Sequence, residues 1–298
     1  MPPANAVARA AADVAGAVYP YDYRGLRGAL RLLPPDGYAR AAEEIVHRAP
    51  GLALLVTGFP VNGVGETDGP PGARALGGAL AVLGWGSVTV ACPSTVEVVR
   101  PLMAPLGPIE TVTAGDPDGA AQQCDRILAK YRPDLVLAIE RPGRAQDGRL
   151  VNMRGEALIG VPVLDPLLQG PASIGIGDGG NELGLGRLAR YLSAHRVVPA
   201  PCTTAATHAL VASVSNWGAY GLLAMLEILT GASLVPTDAD DDRWVRTAVA
   251  AGAVDGLTRA ATATVDAFGA EHTAAVLAHL RRIVRHAVDQ RTEQAAGT

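Results

Sequence analysis

Lysine is almost missing. Only Lys130 represents it in a chain of 298 residues whose Lys+Arg total is 25. A Schiff-base enzyme needs an amine in a desolvated pocket. Lys130 lies in Ala129-Lys130-Tyr131-Arg132-Pro133, which reads as an exposed helix end. Lysine-anchored pyridoxal phosphate is thereby excluded, and so is a Walker A loop, which needs its own lysine. Aromatics are scarce, at 4% with two Phe, so Ala, Val and Leu must build the core. Cysteines number three, Cys92, Cys124 and Cys202, with no CxxC. That excludes a disulfide framework or zinc ribbon and suits a reducing, cytoplasmic setting. No block of basic residues stands out and the net charge is -4, which argues against a nucleic-acid partner. The most apolar stretch, about Ala219 to Leu229, holds Glu227 and is too short for a bilayer. The start, Met1-Pro2-Pro3-Ala4-Asn5, lacks the basic and apolar regions of a secretory signal.

What is present is apolar and glycine-rich. Hydrophobic residues make up 49%, with 35 Gly and 22 Pro, so a large core is available and disorder is excluded. Short apolar runs alternate with helical stretches. Strands are expected at Leu52–Val56, Ser87–Ala91, Ile109–Thr113, Leu135–Ile139 and Ser173–Gly177. Helices are expected at 4–18, 38–49, from Pro70, and at 95–103, 119–131, 181–194, 205–229, 240–251 and 271–290, with a break near Asn216-Trp217-Gly218. This alternation predicts an α/β fold. It is a mostly parallel sheet with helices on both faces, a Rossmann-like three-layer sandwich with additional C-terminal helices. We read 1–298 as a single α/β domain. Within it, 141–171 is a loop-rich insertion and 238–298 a helical C-terminal extension.

Polar residues cluster after the strands, where open parallel sheets bind ligands. Thr57-Gly58-Phe59 and Glu66-Thr67-Asp68-Gly69-Pro70-Pro71-Gly72 follow the first strand. Helix capping alone could explain Asp68. Glu140-Arg141-Pro142-Gly143-Arg144 follows the fourth, and Arg offers a planar fork for a carboxylate or phosphate. Asn152-Met153-Arg154-Gly155 can add another anion contact. The densest segment is Gly175-Ile176-Gly177-Asp178-Gly179-Gly180-Asn181-Glu182-Leu183-Gly184. It reads as strand, glycine loop and helix and matches G-x-G-x-x-G. No Asp or Glu stands between Glu182 and Glu227 to hold a ribose, and Asp178 would repel a pyrophosphate. No nucleotide is expected. Its oxygens instead suit a divalent cation such as Mg²⁺ or Mn²⁺, or an amino group. Ser213 and Asn216 mark an inward polar patch, and His208 lies on the expected apolar helix. His272, His279 and His286 are successively about 10 Å apart along a helix, too far apart for one metal.

Taken together and in order over residues 20–232, these motifs resemble the D-glutamate cyclase family, first catalogued as a domain of unknown function. The resemblance implies conversion of D-glutamate to 5-oxo-D-proline and water, an α/β fold, homo-oligomers, a small amino-acid substrate and a divalent cation. Cyclisation needs a base for the amine and an acid or cation for the departing oxygen. On that reading Asp178 and Glu182 act as base and acid, or with Glu140 hold the cation. Glu66 and Asp68 complete the acidic set. Arg141 and Arg144 clamp the α-carboxylate, Asn181 and Asn216 orient the substrate, and Thr57 and Arg154 contact it. Two other readings stand beside it. One is a metal-dependent hydrolase or lactamase acting on another small acid. The other is a non-catalytic amino-acid- or metal-binding protein.

Overall fold

The computed structural model describes residues 4–170 and 172–296. Helices α1 (Ala4–Val18), α2 (Arg27–Leu30) and α3 (Gly37–Val46) precede the first strand, β1 (Leu52–Thr57). A small hairpin, β2 (Pro60–Val61) and β3 (Val64–Gly65), leads to α4 (Pro70–Val82). Then come β4 (Gly86–Ala91), α5 (Val96–Met103), β5 (Ile109–Thr111), α6 (Pro117–Tyr131) and β6 (Leu135–Ile139). The chain ends with β7 (Ala172–Gly177), α7 (Ala189–Ala194), β8 (His208–Val211), α8 (Ser215–Thr230), α9 (Asp238–Ala250) and α10 (Ala270–Ala296). Six strands form one parallel sheet in the order β5-β4-β1-β6-β7-β8. From β1 the chain winds toward β5, and from β6 it winds toward β8. The winding reverses between β1 and β6, which is where such sheets open a crevice at their carboxyl ends.

Alternation along the strands builds both faces. Ala53 and Leu55 of β1 join the core with α1, α3, α4, α5, α8, α9 and α10. Leu54 and Val56 point the other way, onto Ala120, Cys124 and Ile127 of α6. That is the three-layer sandwich expected from the sequence. With so few aromatics, the layers close on small residues. Gly218 of α8 lies so near the sheet that a Cβ there would fall 2.7 Å from Ile176 Cγ2. The last two helices join this core through Val245, Ala248, Leu277 and Leu280. Gly297 and Thr298, and Pro171 of the loop-rich segment, lie outside the described residues. So do Met1–Pro3 of the start read for a signal.

Two expectations are corrected. The run 205–229 is not one interrupted helix. His208–Val211 is the edge strand β8, in register with Ile174–Gly177 of β7. The Ala-rich sequence favours helix locally, but pairing along the open edge of β7 overrides that preference. Asn216-Trp217-Gly218 is the first turn of a continuous α8, and His208 faces Glu44 Oε2 at 3.1 Å. The helix expected at 181–194 is also shorter. Gly180 and Gly184 have φ of 90° and 103°, outside the right-handed helical region. The backbone there bonds instead to Arg141 and Cys202, and α7 starts only at Ala189. A single 3₁₀ turn, Gly186–Leu188, leads from the glycine loop into it.

Between α8 and α9, the Tyr220 hydroxyl donates to Asp241 Oδ1 at 2.5 Å, with both residues buried. Burial raises the Asp241 carboxyl to about 6 even though this bond favours its charged form. Tyr220→Phe leaves a buried carboxyl without its donor. We expect a loss of about 1–3 kcal/mol, measured as a lower urea midpoint at unchanged slope.

Candidate active site

Three sheet-end segments bring their acids together above the switch point. Glu66 and Asp68 come from the turn between β3 and α4. Glu140 directly follows β6, Asp178 follows β7, and Glu182 lies in the glycine loop. All five are at most 5% exposed. The backbone is shaped to allow it. Glu140 itself has φ of 43° and Gly69 has φ of 96°. A Cβ on Gly69 would fall 2.7 Å from Glu140 Cβ. Strained positions of this kind gather where function over-determines the backbone.

Two further charged residues complete the cluster, and neither was singled out in the sequence. Asp266, 2% exposed, comes from the loop between α9 and α10. Arg24 comes from the loop between α1 and α2. Arg24 Nη2 lies 2.5 Å from Asp266 Oδ2 and 3.2 Å from Asp178 Oδ2. Packing explains how distant loops meet. Phe268 stacks on Tyr21 at 5.0 Å and touches Trp217 at 5.3 Å, so the scarce aromatics pin the N-terminal loop to the C-terminal one. The buried Asp255 carboxylate shapes the latter by accepting from Leu257 N, Thr258 N, Thr264 Oγ1 and Ala267 N. Val254 then pairs with Glu66 beside the cluster.

The acids differ in what they already hold. Asp68 accepts from Ser215 N and Asn216 N, both at 2.8 Å. It thereby caps α8, where a negative charge suits the helix dipole. Glu182 accepts from Gly179 N and Gly180 N at 2.8 and 2.6 Å and so ties the glycine loop. Glu140 Oε2 accepts from Ser215 Oγ at 2.5 Å. Asp178 is different, because among the described residues neither of its buried oxygens has a hydrogen-bond donor, and only the Arg24 charge faces it. Single oxygens of Glu140, Asp178 and Glu182 lie within 4.8 Å of one another, as do those of Asp68, Asp178 and Asp266. The structure thus brings together the three residues expected as cation ligands. Their hard oxygens, with an Asp178 carboxylate that only the Arg24 charge faces, fit a Mg²⁺- or Mn²⁺-type ion or an ammonium group.

Such crowding shifts proton affinities. Burial, reinforced by neighbouring carboxylates, pushes Glu66 and Glu140 well above the usual range. Burial does the same for Asp178, against the opposing pull of Arg24. Asp68 is raised to about 7 by burial and the Asp266 charge, although two backbone N–H groups favour its ionised form. Burial works against the Arg24 charge, but Asp178 and Asp266 outweigh it.

A cleft of about 440 Å³ opens onto the cluster, a volume suited to a small molecule. Glu66, Glu140, Asp266, Arg24 and Asn181 line its deep end, with Asn152, Arg154 and Arg259 further along its wall. Asn181 Nδ2 donates to Val151 O, and its buried Oδ1 has no partner among the described residues. Asp68, Asp178 and Glu182 lie behind this wall rather than on it.

Other expected contacts are placed elsewhere. Arg141 is fully buried and does not line the cleft. Its Nη1 donates to Gly58 O and Cys92 Sγ and its Nη2 to Pro162 O, while its buried Nε has no partner among the described residues, so it closes the loops around β1 and β6. Arg144 is exposed and away from the cleft wall. The expected carboxylate clamp by this pair is therefore corrected. Asn216 holds the turn before α4, accepting from Gly69 N and Gly72 N and donating to Thr67 O. Ser213 bonds to the backbone of Tyr21. Thr57 is buried away from the cleft wall, and its hydroxyl has no partner among the described residues.

Fold and site together define an α/β protein of Rossmann-like strand order with an acid-lined cleft at its switch point. The family described as "D-glutamate cyclase-like, C-terminal" matches residues 20–281, and the chain belongs to it. The match includes both Arg24 and Asp266. The chain is also 32% identical over 235 residues to "D-glutamate cyclase, mitochondrial" of Homo sapiens. That alignment covers 69% of this chain and 37% of the human protein. The chain thus spans little more than a third of the curated relative it matches. Among the described residues no helix is long and apolar enough to cross a membrane.

The raised carboxyls have a consequence for stability. They bind protons more tightly in the fold than in the unfolded chain, so stability falls as pH rises. The loss starts near the ordinary carboxylate value of about 4 and, for Asp68, runs through its folded value of about 7. We expect the melting temperature to drop between about pH 5 and pH 8, as measured by scanning calorimetry. A flat or rising profile contradicts the shifts.

Proposed function

We propose that this protein cyclises D-glutamate to 5-oxo-D-proline with release of water. The observation that carries the reading is the buried carboxyl cluster at the head of a small cleft, in a chain of the D-glutamate cyclase-like family. The reaction joins the α-nitrogen to the γ-carbon. Two protons leave the nitrogen and two arrive on the departing γ-oxygen, so no net proton is consumed. That calls for a relay between a base and an acid placed around one substrate. Glu66 and Glu140 face the cleft and are the groups proposed to touch the reacting atoms. One takes the ammonium proton and the other donates to the leaving oxygen. Asp178 and Asp68 lie behind them and complete the proton-sharing set, while Glu182 holds the loop that places Asp178. The cleft also holds amine and γ-carboxyl together, which a flexible chain in water does rarely.

Glu140, Asp178 and Glu182 are the residues that would hold a Mg²⁺ or Mn²⁺ ion. Such a cation, when bound, polarises the γ-carboxylate. The three cysteines are free and buried, which suits the reducing, cytoplasmic setting proposed for this chain.

The test incubates the purified protein with D- and L-glutamate, with Mn²⁺, Mg²⁺ or chelator, and follows 5-oxoproline by chiral chromatography. Formation of 5-oxo-D-proline is expected. Its absence under every condition refutes the proposal, and turnover of other lactams or small acids alone favours the hydrolase reading. Glu140→Gln should lower kcat by roughly 100-fold or more while the far-UV spectrum stays native.

A further inference from the structure

Arg24 is held along one edge and open along the other. Its Nε donates to the Tyr23 hydroxyl at 3.0 Å, and that hydroxyl donates to Asp266 Oδ2 at 2.7 Å. Its Nη2 meets Asp266 and Asp178. Its Nη1 makes no hydrogen bond among the described residues. The side chain is 16% exposed, and the residue lines the cleft.

Beside it on the same wall stand Glu66, Glu140 and Asp266, whose oxygens accept. A guanidinium edge next to carboxylates is the complement of an α-amino acid head group, in which a carboxylate and an ammonium share one carbon. The two other arginines of the cleft are less suited. Arg154 is exposed, and Arg259 is 37% exposed with Glu156 no nearer than 4.0 Å. A solvated side chain of that kind contributes little to binding. A guanidinium already fixed by its neighbours loses less freedom when a ligand binds.

We propose that Arg24 fixes the α-carboxylate of the amino-acid substrate, with the adjoining acids receiving its ammonium group. The inference rests on the cyclase reading and gives Arg24 the part that Arg141 and Arg144 are not placed to play. In this arrangement the γ-carboxyl is left free to fold back toward the nitrogen. Arg24 then selects substrates that carry an α-carboxylate over amines that lack one.

The test compares kcat/KM for D-glutamate and for D-isoglutamine, in which the α-carboxylate is a carboxamide. Wild type should prefer D-glutamate. Arg24→Gln should reduce that preference roughly 10- to 100-fold, the worth of a hydrogen bond between charged partners. Arg24→Lys keeps the charge without the planar fork and should fall between the two. It also serves if Arg24→Gln fails to fold. Equal losses on both compounds, with the preference kept, would mean a structural role and overturn the proposal. A shift in preference caused by Arg259→Gln but not by the Arg24 variants overturns it as well. Calorimetric titration of the same proteins separates the two readings. If wild type binds D-glutamate without turnover and the variants lose the binding preference, the clamp stands and the cyclase reading falls. If wild type neither binds nor converts either compound, both fall.

Discussion

Six carboxyl groups share one buried volume with the guanidinium of Arg24, and the rest of the site is arranged around that fact. Like charges this close cannot all stay ionised without a compensating cation. The structure answers in three ways. Asp68 and Glu182 receive backbone N–H groups, one from the first turn of α8 and one from the glycine loop. Asp266 and Asp178 face Arg24. Glu66, Glu140 and Asp178 hold their protons far above the usual range, chiefly because they are out of water. Each device draws on a different part of the chain, so the cluster ties the N-terminal loop, three strand ends and the C-terminal loop to one place.

Much of this was legible in the sequence because it is written locally. Short apolar runs with glycine at their ends are a local pattern, and five strands of the sheet follow it. Acids directly after such runs fall at the carboxyl edge by topology alone, which is how Glu140, Asp178 and Glu182 could be grouped as neighbours. The failures share a cause of the opposite kind. β8 forms because β7 has an open edge, and that information lies more than thirty residues away. Arg141 has the composition of an anion clamp, but it folds back onto carbonyls and a thiol from three separate segments. Arg24 and Asp266 come from segments with no periodicity. One signal was available for Asp266, a lone acid within the small-residue run Ala263–Ala270 and two residues from one of the two Phe.

A cluster that destabilises the fold as it ionises needs support elsewhere, and the composition shows where it lies. Alanine and glycine at helix faces let α8 approach the sheet and let α4 approach α8. A Cβ on Gly72 would stand only 3.0 Å from Ala219 Cβ. Close approach of flat surfaces packs densely without large side chains. Three of the few aromatics, Tyr21, Phe268 and Trp217, pack together where the N- and C-terminal loops meet. Their position links core stability to the placement of Arg24 and Asp266. Damage to that aromatic contact would therefore reach the site without touching an acid.

The near absence of lysine also takes on a physical meaning here. A proton relay works when its members exchange protons with one another and the fixed charge beside them does not. A buried ammonium surrounded by carboxyls could give up its proton and join the exchange, since lysine shifts its pKa readily when desolvated. A guanidinium does not titrate in this range. Arg24 therefore keeps a constant positive charge beside Glu66, Glu140, Asp178 and Asp68, whatever their protonation. The charge at the centre holds the cluster together and biases where protons reside without becoming a donor itself. That division between a permanent cation and titrating acids is compatible with the acid–base relay proposed for the site.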